Sequence, residues 1–318
     1  MGLFKKISSF LLVPIVLWVI LFFHYQQNIK YDHYRIWQED KAFLDTKSDE
    51  VELIVAGHSR PYRAIDNSFE KMVRIGTPGE SYIETYFRLK HILENTDKNP
   101  SLVILPAEKT TFKTNDFRRS FFWKKYMNFL EVGVTKKETS AYAAEWLKAT
   151  VFPFKTYYQQ QVESFLEPKN ASGGGPIFDK LTGDFSKWPE AIKTFEIAND
   201  IQHIEKNGLV DKTLEVYLQR TLNLLEQHEV VPVYIQCPLS GDYLEELENL
   251  AHYKLAKHDN MLRIIEEHPY AILIDFEAVF SESDSYFSDH HHLNKKGAEV
   301  FSKMLKDSLS DRIGYPDF

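Results

Sequence analysis

Cysteine is all but missing from this chain: Cys237 is the only one in 318 residues. An intrachain disulfide needs two, so none can form, and a cysteine-built zinc site is excluded with it. The core must hold without covalent staples. A surplus of positive charge is lacking as well. Lys and Arg number 38 against 46 Asp and Glu, a formal net charge of −8. Nucleic-acid-binding surfaces are ordinarily basic, so no nucleic-acid partner is expected. Internal repeats and low-complexity tracts are not found. No GxGxxG follows the first strand-like run, and the triple glycine Gly173–Gly175 lacks the Lys-Ser/Thr pair of a phosphate loop. With 43% hydrophobic and 26% charged residues, the chain has the make-up of a folded globular protein rather than a disordered one.

One apolar run reaches membrane length, Ile7 to Phe23 (ISSFLLVPIVLWVILFF). Seventeen helical residues span roughly 25 Å, close to the ~30 Å hydrocarbon core. Membrane helices tolerate a proline such as Pro14, and Trp18 and Phe22–Phe23 suit the interface. Lys5 and Lys6 precede the run, and a mixed segment containing Asp32 follows it. The positive-inside rule puts the N-terminus in the cytoplasm and the rest of the chain across the bilayer. A cleaved signal peptide is the rival reading, but Phe22, Phe23, His24 and Tyr25 supply no small-residue cleavage site. The expected division is a cytoplasmic tail at 1–6, a transmembrane signal anchor at 7–25, a connector at 26–48 and an extracytoplasmic domain at 49–318 with an insertion at about 110–210. Such a protein is single-pass, with its main domain periplasmic or on the cell surface.

Within the domain, five apolar runs have strand length: Val51–Ala56, Met72–Ile75, Ser101–Leu105, Val230–Gln236 and Ala271–Asp275. Near-continuous apolar runs suit strands buried on both faces of a parallel sheet. Helical periodicity lies between them, over Tyr82–Glu94, Leu214–Gln227, Leu244–His268 (as one long helix) and Gly297–Leu309. This alternation predicts a doubly wound α/β fold with its active site at the carboxyl ends of the strands. Residues 170–190 read as a long Gly-rich loop of the kind that often forms a lid.

Two stretches carry candidate chemistry. Gly57-His58-Ser59-Arg60 directly follows the first strand, where a turn presents a serine at the sheet edge; serine is equally a common helix cap. Phe287-Ser288-Asp289-His290-His291-His292-Leu293-Asn294 follows the fifth strand, with Gly297 just beyond. An Asp three residues before a His on one turn can orient the imidazole and leave its other nitrogen free to take a serine proton. A metal held by His290–His292 is the competing reading, but adjacent histidines diverge and rarely ligate one ion without outside help. No metal and no cofactor are therefore expected.

Taken together, Ser59 after the first strand and Asp289-x-x-His292 after the last resemble the SGNH (GDSL-type) hydrolase superfamily over roughly residues 50–310. Leu293-Asn294 and Gly297 match the usual continuation of its closing block. The resemblance implies a three-layer α/β/α flavodoxin-like fold on a five-stranded parallel sheet, with Ser59, His292 and Asp289 as a catalytic triad. Ile75-Gly76-Thr77-Pro78-Gly79-Glu80 falls on the family's glycine block, so the amides of Ser59 and of Gly76 or Gly79 would form the oxyanion hole. Two departures stand out. His58 replaces the usual Asp of G-D-S, and the G-x-N-D block is missing: Leu105-Pro106-Ala107-Glu108-Lys109-Thr110 stands there, with Lys109 or Thr110 as substitute donors. Arg60, Glu80, Glu108 and Lys109 are candidate substrate contacts; the other reading is solvated or salt-bridged charge.

The single anchor with both motifs is similar to the D-alanine transfer proteins of teichoic acid synthesis and to membrane-anchored SGNH partners of membrane-bound O-acyltransferases. That resemblance implies an acyltransferase or esterase acting on O-acyl groups of envelope polysaccharide or teichoic acid. It also leaves open a non-catalytic adaptor that positions a membrane-bound O-acyltransferase. The partners it implies are the lipid bilayer, such an acyltransferase and the envelope glycan.

Overall fold

Five short strands meet as one parallel sheet, the three inner strands almost wholly buried and the two edge strands half-buried. The computed structural model describes residues 2–24, 40, 44, 50–76, 80–108, 183–207, 212–249 and 252–313. In chain order they form α1 (Gly2–His24), β1 (Leu53–Val55), α2 (Ser59–Ala64), β2 (Met72–Arg74), α3 (Tyr82–Asn95), β3 (Leu102–Pro106), α4 (Glu190–Asn207), α5 (Lys212–Gln227), β4 (Val231–Gln236), α6 (Gly241–Glu248), α7 (His252–Glu266), β5 (Ile272–Asp275) and α8 (Lys295–Ile313). The chain divides into two compact units, Met1–Lys41 with Arg118–Gly173 and Ala42–Phe117 with Gly174–Phe318. Of the first unit, α1 is the one described element. Among the described residues, no helix is long and apolar enough to cross a membrane.

The strand order is β2-β1-β3-β4-β5, every pair parallel. This is the flavodoxin-like doubly wound order, in which the chain direction across the sheet reverses between β1 and β3. In open sheets of this order, ligands generally bind beyond the carboxyl ends of the two strands at that switch point. The registers Leu53↔Met72 and Leu53↔Leu102 set β1 between its neighbours.

Alternation along each strand decides which layer a residue joins. Leu53, Val55, Leu102, Ile104, Val233 and Ile235 share a core with Ala64 of α2, Ile197 of α4, Leu247 of α6 and Phe301, Leu305 and Leu309 of α8. Ile54, Val103 and Tyr234 point the other way and are also buried. There α3 packs against α5, and α5 against α7. Fully burying one such side chain is worth about 1.5–3 kcal/mol. Three-residue strands such as β1 hold through this burial on both faces rather than through their few ladder bonds.

Two helices differ from the sequence expectation. The long helix over 244–268 is two helices, because Asn249 takes the C-cap of α6 and donates its amide to Glu245. Asparagine competes for its own backbone and is a weak helix former. Conversely, α4 occupies the part of the expected insertion after residue 190. One of its buried positions is Lys193, whose ammonium pairs with Asp284 at 2.6 Å and sits 4.7 Å from the Phe185 ring centre. A cation in the core-facing stripe hides the helix from a reading based on apolar periodicity. The expected connector, apart from positions 40 and 44, and residues 170–182 of the expected Gly-rich loop lie outside the described residues.

Candidate active site

The turn after β1 is shaped by contact with β3. Gly57 adopts φ +104°, and a Cβ there would stand 2.6 Å from Cδ of Pro106. Only glycine meets both demands cheaply. His58 then caps α2: its Nδ1 accepts the Arg60 amide at 3.3 Å. Serine is thus not the cap. Ser59 is the first residue of the helix, so its side chain is free for other contacts.

Those contacts reach 233 residues along the chain. The Ser59 Oγ lies 2.8 Å from Nε2 of His292, and Nδ1 of His292 lies 2.9 and 3.1 Å from Oδ2 and Oδ1 of Asp289. Oδ1 of Asp289 also accepts the amides of His291 at 3.0 Å and His292 at 2.8 Å. Burial pushes the Asp289 carboxyl up, but these donors and the neighbouring imidazoles outweigh it and hold it at about 2. An ionised carboxylate only accepts, so His292 Nδ1 carries the proton. Nε2 is then the bare nitrogen, and Ser59 donates to it. Burial lowers the His292 pKa from its ordinary value, against the pull of Asp289, so the ring is neutral near pH 7.

The loop holding Asp289 and His292 is fixed by its own sequence. Phe287 and Leu293 form an antiparallel bridge. Asn294 donates to the carbonyls of Ser285 (2.8 Å) and Phe287 (3.2 Å), while its Oδ1 accepts the Gly297 amide at 3.0 Å at the start of α8. A Cβ on Gly297 would lie 2.1 Å from the Tyr286 carbonyl oxygen. The Leu293-Asn294 and Gly297 positions thus hold the turn in place for physical reasons.

The remaining expected residues divide. Gly76 lies against the serine turn, where a Cβ would meet the Gly57 carbonyl oxygen at 2.6 Å. Gly79, Lys109 and Thr110 lie outside the described residues. Glu80, 4% exposed, pairs with the buried Arg88 at 3.2 Å and accepts from Thr85 at 2.9 Å. Glu108 is wholly buried, its Oε2 2.7 Å from Nε2 of His58. Burial raises the Glu108 pKa, but His58 and Arg60 prevail and bring it to about 2. Arg60 is 5% exposed and reaches the Tyr243 hydroxyl at 3.4 Å. Glu80, Glu108 and Arg60 are therefore buried groups with internal partners rather than solvated surface charges.

Sequence reasoning missed the surroundings of Arg60, namely Tyr243 and Asp200. Tyr243 on α6 donates to Asp200 on α4. The Tyr243 ring centre lies 4.8 Å from that of His290. No spacing signal links these positions, because three separate elements bring them together. No protein-family profile matches the chain, and no curated protein matches it.

Proposed function

We propose that this protein is an extracytoplasmic serine acyl-transfer enzyme of the SGNH type, an acyltransferase or esterase acting on O-acyl groups of cell-envelope polysaccharide or teichoic acid. The observation that carries this reading is the continuous Ser59–His292–Asp289 hydrogen-bond line at the carboxyl edge of a flavodoxin-like sheet.

In this mechanism His292 Nε2 takes the Ser59 proton as Oγ attacks the acyl carbonyl carbon. The amides of Ser59 and Gly76 donate to the oxyanion. The bond to the leaving group breaks, and that group leaves with the proton from His292. A sugar or polyol hydroxyl, or water, then gives its proton to His292 and attacks the acyl-serine, and Ser59 departs reprotonated. Asp289 holds the ring in the required tautomer and stabilises the imidazolium. No cofactor enters.

The anchor belongs to the same reading. What supports it is the apolar run Ile7–Phe23 of the sequence, which lies within α1. The helix would hold the domain against the outer face of the membrane, beside a membrane-bound O-acyltransferase.

One observation favours the second reading, an SGNH-fold adaptor without catalysis. After β3, where the resembled family places its asparagine donor, Glu108 is buried and occupied by His58. Hydrolysis of a chromogenic acyl ester by the full-length protein separates the two. The enzyme reading requires activity that is lost in Ser59→Ala, Asp289→Asn and His292→Ala. Folded wild type without activity, or activity retained in all three variants, sinks it.

A further inference from the structure

Beside His292, two histidines and one carboxylate converge without hydrogen-bonding to one another. Nε2 of His290 lies 3.6 Å and Nδ1 of His291 lies 3.7 Å from Oδ2 of Asp200. One ligand atom from each residue lies within 4.8 Å of the others. The separations exceed hydrogen-bond length. They fit the spacing of ligands on one zinc ion, where bonds of about 2.0–2.1 Å in tetrahedral array place neighbouring atoms roughly 3.3–3.4 Å apart.

A second observation is independent of these distances. His290 is 6% exposed, yet neither of its ring nitrogens has a hydrogen-bond partner, and Nδ1 of His291 has none either. Buried polar atoms in folded proteins are almost always satisfied. Here Nε2 of His290 and Nδ1 of His291 both face one carboxylate, that of Asp200.

We propose that Asp200, His290 and His291 form a three-ligand site for one divalent transition-metal ion of the zinc class, next to the triad and separate from it. Sequence analysis set a metal aside because adjacent histidines need outside help, and Asp200 from α4 supplies that help. The surroundings suit the role. Tyr243 donates to Oδ2 of Asp200, the same oxygen that faces the two histidines, and receives Arg60 at 3.4 Å; that oxygen's second lone pair is the one left for an ion. The guanidinium of Arg60 interacts with Tyr243, Glu108 and Asp200 itself, so an ion here would share the Asp200 carboxylate's field with that cation. The carbonyl of His290 is held by the amide and hydroxyl of Ser240 at 3.2 and 3.0 Å, so the histidine pair is anchored before an ion arrives. An ion here ties α4 to the loop that carries Asp289 and His292, and its fourth position stays open for water or an oxygen ligand.

The inference goes beyond the acyl-transfer reading and does not rest on it; a chain that binds zinc but accepts no acyl group leaves it intact. The test uses the full-length protein in detergent, without a histidine tag and stripped by chelator. It is dialysed against Zn²⁺ for metal analysis, and in parallel against Co²⁺ for visible absorption. The expected result is one equivalent of zinc and a Co²⁺ band of four-coordinate type. His290→Gln and Asp200→Asn should each weaken binding at least tenfold and Tyr243→Phe roughly tenfold, with Ser59→Ala within twofold of wild type. Wild type without stoichiometric zinc or without the cobalt band overturns the proposal whatever the variants do. Binding unchanged in both His290→Gln and Asp200→Asn overturns it as well. So does binding lost in Asp289→Asn but kept in Asp200→Asn, which would move the ion to the triad.

Discussion

The His58 ring bridges the ends of β1 and β3, with Nε2 2.7 Å from Glu108 and Nδ1 accepting the Arg60 amide at 3.3 Å. It therefore spans the switch point of the sheet and fixes the first turn of α2, which presents Ser59. Breaking this link should disturb both stability and the serine.

The carboxyl of Glu108 falls from its ordinary 4.5 to about 2 in the folded chain. Its folded value is depressed, so its stabilisation is full above the ordinary value and is lost as pH drops from 4.5 toward 2. By linkage the loss between pH 5 and pH 3 is about 2 kcal/mol. Urea unfolding at the two pH values should show that part of the acid sensitivity disappearing in Glu108→Gln. Equal sensitivity in the variant and wild type would contradict the assignment.

Gly57 and Gly76 meet at the serine turn. Alanine at 57 would face both positive φ and Pro106 at 2.6 Å; alanine at 76 would face the Gly57 carbonyl oxygen at 2.6 Å. Strained backbone of this kind costs on the order of 1–3 kcal/mol. Gly57→Ala should lower the urea midpoint accordingly. Gly76→Ala should reduce ester turnover more than it reduces stability, because it displaces an oxyanion donor. Both variants behaving as wild type would remove these glycines from the account.

Asp289→Asn keeps the size of the side chain but removes the charge that fixes the His292 tautomer. Turnover should fall on the order of 10⁴-fold, as in serine triads generally, with the melting temperature changed far less. A fall below tenfold would show that Asp289 does not orient the base.

If α1 is the anchor, the full chain should stay in the membrane fraction after alkaline carbonate washing, and a chain lacking residues 2–24 should be released. Release of the full chain would contradict the anchor.

The hydrogen-bonded line from Ser59 through His292 to Asp289 was legible in the sequence in part. Asp289 and His292 share one turn, and Ser59 follows a strand that burial makes unmistakable. The five strands were legible for the same reason, each within one or two residues at its ends. The burial of Glu108 and Glu80 was not legible, because composition cannot say whether a charge at a strand end faces water or a buried partner such as His58 or Arg88. The helix that carries Asp200 was hidden by Lys193, which buries its ammonium against Phe185 and Asp284. The convergence of Asp200, Tyr243 and His290 is purely tertiary and leaves no periodic trace.

The central claim is an activated Ser59. Treating the full-length protein in membranes with a fluorophosphonate and mapping the adduct by peptide mass spectrometry tests it most directly. The account predicts one adduct on Ser59 that disappears in His292→Ala. A folded protein with no adduct at Ser59, or an adduct that persists at full yield without His292, would contradict it.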